Sequence, residues 1–139
     1  MVGKHSWRRL VDLYHREPWW GEVIAAFSVV LWAAGSMLSE SDLNTRQAMR
    51  IALQFMPGEY WELGGIALGL TQLTVLYLDA PRMRKACCVG ASWFWGHLWI
   101  SVFFSDPGAP AGVLYLPPFI ANCVSILRLK REPKNNDGS

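Results

Sequence analysis

Charge is what this sequence lacks, and the lack is local. Asp, Glu, Lys and Arg make up 17% of its 139 residues, yet residues 23–38, 63–78, 86–104 and 111–127 contain none of them. No such stretch holds an acid near its centre, so the carboxylate partner of an intramembrane proton relay is missing. Cysteine is scarce as well. Cys87, Cys88 and Cys123 are the full set, without a C-x-x-C pair. That excludes a disulfide framework and the paired-thiol chemistry of quinone-linked four-helix oxidoreductases. Three histidines are present, and only His97 falls in an uncharged stretch, so haem held between two spans by paired histidines is excluded. No catalytic, metal or cofactor motif occurs, and the chain is expected not to be an enzyme. The basic segments are short and adjoin apolar stretches, which argues against nucleic acid as a partner.

What is present is a set of apolar segments long enough to cross a bilayer. The expected fold is all-α: an integral membrane four-helix bundle with spans at about 22–38, 58–78, 86–104 and 111–127. Residues 1–20 read as a cytoplasmic amphipathic helix lying in the interface. Trp7, Leu10, Val11 and Tyr14 share one face, and Trp19 and Trp20 stand at headgroup level. A cleaved signal peptide is the competing reading, on Ala33-Ala34-Gly35, but the long leader containing Asp12 opposes it. Residues 39–57 are expected to form a short outer interfacial helix. Asn44 and Gln47 would make its capping box, and Arg46 or Arg50 would approach Glu59 or Glu62. Pro117-Pro118 predicts a kink in the fourth span. Residues 129–139 read as a disordered tail.

Orientation follows from the cations. Lys4, Arg8, Arg9, Arg16, Arg82, Arg84, Lys85, Arg128, Lys130, Arg131 and Lys134 lie on one side of such a bundle, and Arg46 and Arg50 on the other. Eleven against two predicts cytoplasmic N- and C-termini in a multi-pass protein of the cytoplasmic (inner) membrane. Small multidrug transporters place a Glu deep in their first helix. Glu22 lies at the helix end here, and the charge bias opposes dual topology.

Two small-residue stripes stand out. Gly65 and Gly69 form a G-x-x-x-G pair, and Cys88, Ser92 and Gly96 repeat at four-residue spacing. Either stripe packs helices within the bundle or joins copies of the chain. Counting inward from the span ends puts Ser28, Gln72, Ser92 and Asn122 at one depth, about 9 Å in. Gln72 and Asn122 are expected to face inward, with at least one bonded to another span. The layer is either structural glue or a polar site open to the cytoplasm. His97 is expected near the bilayer middle, above the layer, hydrogen-bonded to a neighbouring helix.

The run Met56-Pro57-Gly58-Glu59-Tyr60-Trp61-Glu62-Leu63, together with Phe103-Phe104-Ser105-Asp106-Pro107, resembles small four-span membrane proteins of unknown role encoded by tailed phages and prophages. The resemblance covers spans two to four and implies a holin-like action on the host membrane by self-association, with no catalytic residues and no cofactor. Two other expectations stand beside it: a scaffold or accessory subunit of a membrane complex, and a small transporter or channel. The partners expected are the lipid bilayer and either further copies of the chain or another membrane protein.

Overall fold

The computed structural model describes residues 20–40 and 42–129, and these are helical with no strand. The helices are α1 (Trp20–Met37), α2 (Gly58–Leu78), α3 (Pro81–Ser105) and α4 (Ala111–Leu129). α1, α3 and α4 are long and apolar enough to cross a membrane, and they mark the chain as a membrane protein. α2 has 21 residues, about 31 Å of helix, and carries Glu59, Glu62 and Gln72 on an otherwise apolar sequence. The amphipathic segment with Trp7, Leu10, Val11, Tyr14 and Trp19, and the C-terminal tail, lie outside the described residues. Trp20, the first described residue, is half exposed.

Helix boundaries follow from local chemistry. Asp79 ends α2 in the left-handed conformation (φ 52°, ψ 45°), and its N–H caps the carbonyls of Val75 and Leu76. Pro81 then opens α3, where its fixed φ suits the first turn and its missing N–H costs nothing. The link between α2 and α3 is therefore only Asp79-Ala80, and Arg84 lies in α3 rather than in a loop. Pro117 and Pro118 do not break α4, which runs unbroken from Ala111 to Leu129. They fall in its second turn, so the bonds they remove are those to the Val113 and Leu114 carbonyls close to the helix start, and the flanking turns carry the helix past them.

Each helix packs against its sequence neighbours, and α4 returns to α1, so α2 and α4 face each other across the diagonal. α2 turns one stripe inward: Gly58, Trp61, Gly65, Gly69, Gln72 and Val75. Gly65 and Gly69 meet α1. A Cβ on Gly69 would lie 2.5 Å from Val30 Cγ2 and 2.9 Å from the Ala26 carbonyl oxygen, and one on Gly65 would lie 3.1 Å from Ala33 Cβ. The G-x-x-x-G pair is thus occupied within the chain. Gly96, in the second stripe, meets Phe119 of α4.

The outer helix is replaced by three 3-10 turns, Leu43–Thr45, Gln47–Met49 and Ala52–Gln54. A continuous helix would keep its backbone groups to itself. Here they are spent on the bundle. Ser101 Oγ of α3 accepts from the Ala52 N–H at 3.0 Å and donates to the Ala48 carbonyl at 3.1 Å. The Trp61 indole donates to the Ala52 carbonyl at 3.1 Å. The Asn44–Gln47 capping box does not form. Asp42 caps the first turn, and the Asn44 side chain accepts from the Gly58 N–H at 2.9 Å. With Leu43, Met49 and Ala52 buried, the segment is a plug on the bundle end.

Candidate functional site: a buried polar column

At the other end of the bundle, where α1 and α3 begin and α2 and α4 end, the interior is polar. Glu22, in the first turn of α1, is 4% exposed, and Arg84, in the first turn of α3, is 8% exposed. They form a two-point pair: Arg84 Nη2 to Glu22 Oε1 at 2.6 Å and Arg84 Nε to Glu22 Oε2 at 3.1 Å. Arg84 Nη1 also donates to Asp79 Oδ1 at 3.3 Å. The planar guanidinium matches the carboxylate fork, which lets both charges leave water together. The signal for this pair was in the sequence: an acid and a base assigned to the same end of the first and third spans. Treating Arg84 as a loop cation hid it.

Deeper in, Gln72 Nε2 donates to Asn122 Oδ1 at 2.9 Å, across the diagonal from α2 to α4, and lies 3.8 Å from Cys88 Sγ of α3. Both amides are buried. Asn122 Nδ2 donates to the Pro118 carbonyl at 2.8 Å. That bond orients the Asn122 amide with its oxygen toward Gln72, so Gln72 presents its nitrogen. The remaining Gln72 Oε1 is buried without a hydrogen-bond partner.

The other two residues at this depth do not join the pair. Ser28 donates to its own helix, to the Ile24 carbonyl at 2.7 Å, and Ser92 accepts from Cys123 Sγ at 3.7 Å. Depth alone does not bring groups together. The buried face of α1 runs through Glu22, Ala25, Ala26, Val29 and Ala33, and Ser28 is rotated off it. Ser125, near Gly21, adds a further buried hydroxyl at the Glu22 end, bonded to the Ala121 carbonyl.

His97 is not in the middle of the bundle. It lies toward the plug, with its ring centroid 4.6 Å from Phe55, 4.6 Å from Trp93 and 6.0 Å from Trp61. The reason is the length of α3: starting at Pro81 instead of Ala86 moves the helix centre away from His97. It makes no hydrogen bond to a neighbouring helix among the described residues, and aromatic faces and edges surround it instead. Elsewhere in the interior, Trp32 of α1 donates to the Tyr115 hydroxyl of α4 at 2.9 Å, while the Trp95 indole N–H is buried without a partner.

Arg46 and Arg50 do not pair with Glu59 or Glu62. Glu62 accepts from Ser36 at 2.7 Å, and the ion pairs among the described residues are those of Arg84. The three cysteines are free thiols. Among the described residues, no group of His, Cys, Asp and Glu is placed to hold a metal ion. The column can donate and accept hydrogen bonds and balance charge, and it offers no activated nucleophile. Comparison of the chain with protein-family models, curated proteins and solved structures finds no match.

Proposed function

We propose that this chain is a four-span protein of the cytoplasmic membrane, with both termini inside, that acts through the membrane by self-association rather than by catalysis. The observation that supports this is the apolar outer surface. The interior mixes large apolar residues, Trp61, Leu98 and Val102 among them, with small and polar ones such as Ala25, Gly69, Gln72 and Asn122. Large apolar side chains also cover the outside of every helix, α2 included: Leu31 68%, Leu70 52%, Ile100 42% and Val113 74% exposed. In water such a surface would drive aggregation. In lipid it is the solvated face, and close packing of small residues is what holds helices together. The length of α2 and its exposed leucines support reading it as the fourth span. Because Gly65 and Gly69 are consumed internally, self-association would use the lipid-exposed faces. The holin-like element rests on the sequence likeness.

Controlled expression with a membrane-potential dye and cell-density readings tests it. Depolarisation together with cross-linked multimers of the chain is the expected result. Normal potential and growth at high expression, with the chain monomeric, would remove the reading. Stable co-purification with a second protein would favour an accessory subunit instead.

The buried column favours a second reading, a small transporter or channel opening at the Glu22 end. It is supported by the unpartnered Gln72 Oε1 beside Asn122 and Cys88. Solute flux in proteoliposomes that disappears in Gln72→Leu, with potential unaffected by expression, would select it.

A further inference from the structure

The interior of the bundle divides into two halves of opposite character. In one half every helix turns a polar side chain inward: Glu22 from α1, Gln72 from α2, Arg84 from α3, and Asn122 and Ser125 from α4. Cys88 follows Arg84 by one turn of α3 and reaches Gln72, so these residues form one column from the bundle end to the amides. Exposure falls along it, from 8% at Arg84 through 2% at Gln72 to 0% at Asn122. In the other half every helix contributes an aromatic ring to one layer. Trp32 of α1 and Trp61 of α2 meet Phe94 of α3 at centroid distances of 5.5 and 5.4 Å, and Tyr115 of α4 meets Trp95 at 5.5 Å.

Each half holds a buried group without a partner: Gln72 Oε1 in the column and Trp95 Nε1 in the aromatic layer. An amide oxygen has two lone pairs, and burying it with neither used costs free energy. This one cannot be traded away by turning the amide, because the Pro118 carbonyl orients Asn122 and Asn122 orients Gln72. The atom left over is an acceptor, so its ligand must donate an O–H or N–H. At the mouth Arg84 offsets Glu22, which removes the pull on a free ion. Cys88 and Asn122 beside the amide are fully buried, which limits the ligand to the size of water. We infer that the column is a one-sided water inlet. Water enters at the Glu22–Arg84 end, donates to Gln72 Oε1, and stops at the aromatic layer. The inference deepens the transporter or channel reading above and rests on it for the purpose of the inlet, but not on the orientation of the chain.

The test is nuclear magnetic resonance of the full chain in mild detergent, with the side-chain nitrogens of Gln, Asn and Trp isotope-labelled. Cross-relaxation from water to each N–H group is read. The Gln72 Nε2 protons should show a water cross-peak, as those of the exposed Gln54 do. The Trp95 indole N–H is 2% exposed, as Gln72 is, and should show none. Gln72→Met removes the acceptor, and the water cross-peak at Asn122 Nδ2 should be lost with it. Cys88→Ala should keep the Gln72 cross-peak, because the source is bound water and not the exchanging thiol proton. If Gln72→Met misfolds, the wild-type comparison of Gln72 with Trp95 still decides. No cross-peak at Gln72, one of equal size at Trp95, or its loss in Cys88→Ala would overturn the proposal. Solute flux in proteoliposomes separates the two failures. A dry Gln72 in a chain that moves solute sinks only the inlet. A hydrated Gln72 in a chain that moves none supports the inlet and sinks only the transport reading.

Discussion

Gly69 and Gly64 sit in the same helix and should respond to alanine in opposite directions. At Gly69 a new Cβ meets α1 side chains and backbone, so α1 and α2 must separate. Overpacking of that kind costs about 1–3 kcal/mol. At Gly64 a Cβ meets nothing within 4 Å, so Gly64→Ala should stabilise by about 0.5–1 kcal/mol through helix propensity. Thermal unfolding of the purified variants in detergent checks both, and equal effects would mean that α1 does not pack on this stripe. The amide pair is a second case at this scale. A double-mutant cycle on Gln72→Leu and Asn122→Leu should give a coupling of about 0.6 kcal/mol, and no more than about 1.7. Arg84 is the most sensitive position. Arg84→Met strands the buried Glu22 carboxylate and should cost about 3–5 kcal/mol, whereas the double variant with Glu22→Leu should recover most of it.

Among the elements, the plug is the one whose form depends on others. Its turns are too short to hold themselves, and Ser101 supplies both a donor and an acceptor to them. Ser101→Ala leaves the Ala52 N–H and the Ala48 carbonyl without that partner. Trypsin should then cut after Arg46 and Arg50 several-fold faster than in wild type, with the four long helices retained by circular dichroism. An unchanged cleavage rate would mean that Leu43, Met49 and Ala52 hold the plug by burial alone. The failure of the helix expected here has the same cause. The apolar residues of 43–56 suit a helix face, but the bundle end offered hydrogen bonds and burial that an isolated interfacial helix could not match.

For the whole molecule, the expectation is a topology. Reporter fusions at Asp42 should read external, and those after Arg84 and at Ser139 cytoplasmic. The reason is the cation count along the sequence, eleven against two between the apolar stretches, and an external Ser139 would leave an odd number of spans. Arg84, one of the cations behind that expectation, also ties α1 to α3 through Glu22.

Hydrophobic patterning by itself determined that the chain is helical and apolar enough for a membrane, and roughly where its four long helices run. Those properties belong to one segment at a time: length, mean apolarity, and a rise of about 1.5 Å per residue. It also placed Gln72 and Asn122 at one depth, and a buried amide has few ways to be satisfied in hydrocarbon. Rotation about each helix axis, and so which side chains meet, was decided only in the tertiary structure. Ser28 shares the depth of the amides and faces elsewhere, because α1 turns its alanines to the glycines of α2. Arg84 became an interior residue because Pro81 starts α3 early, and Glu22 happens to stand opposite. Contacts of this kind depend on two segments at once, and periodicity within either one carries no information about the other's azimuth.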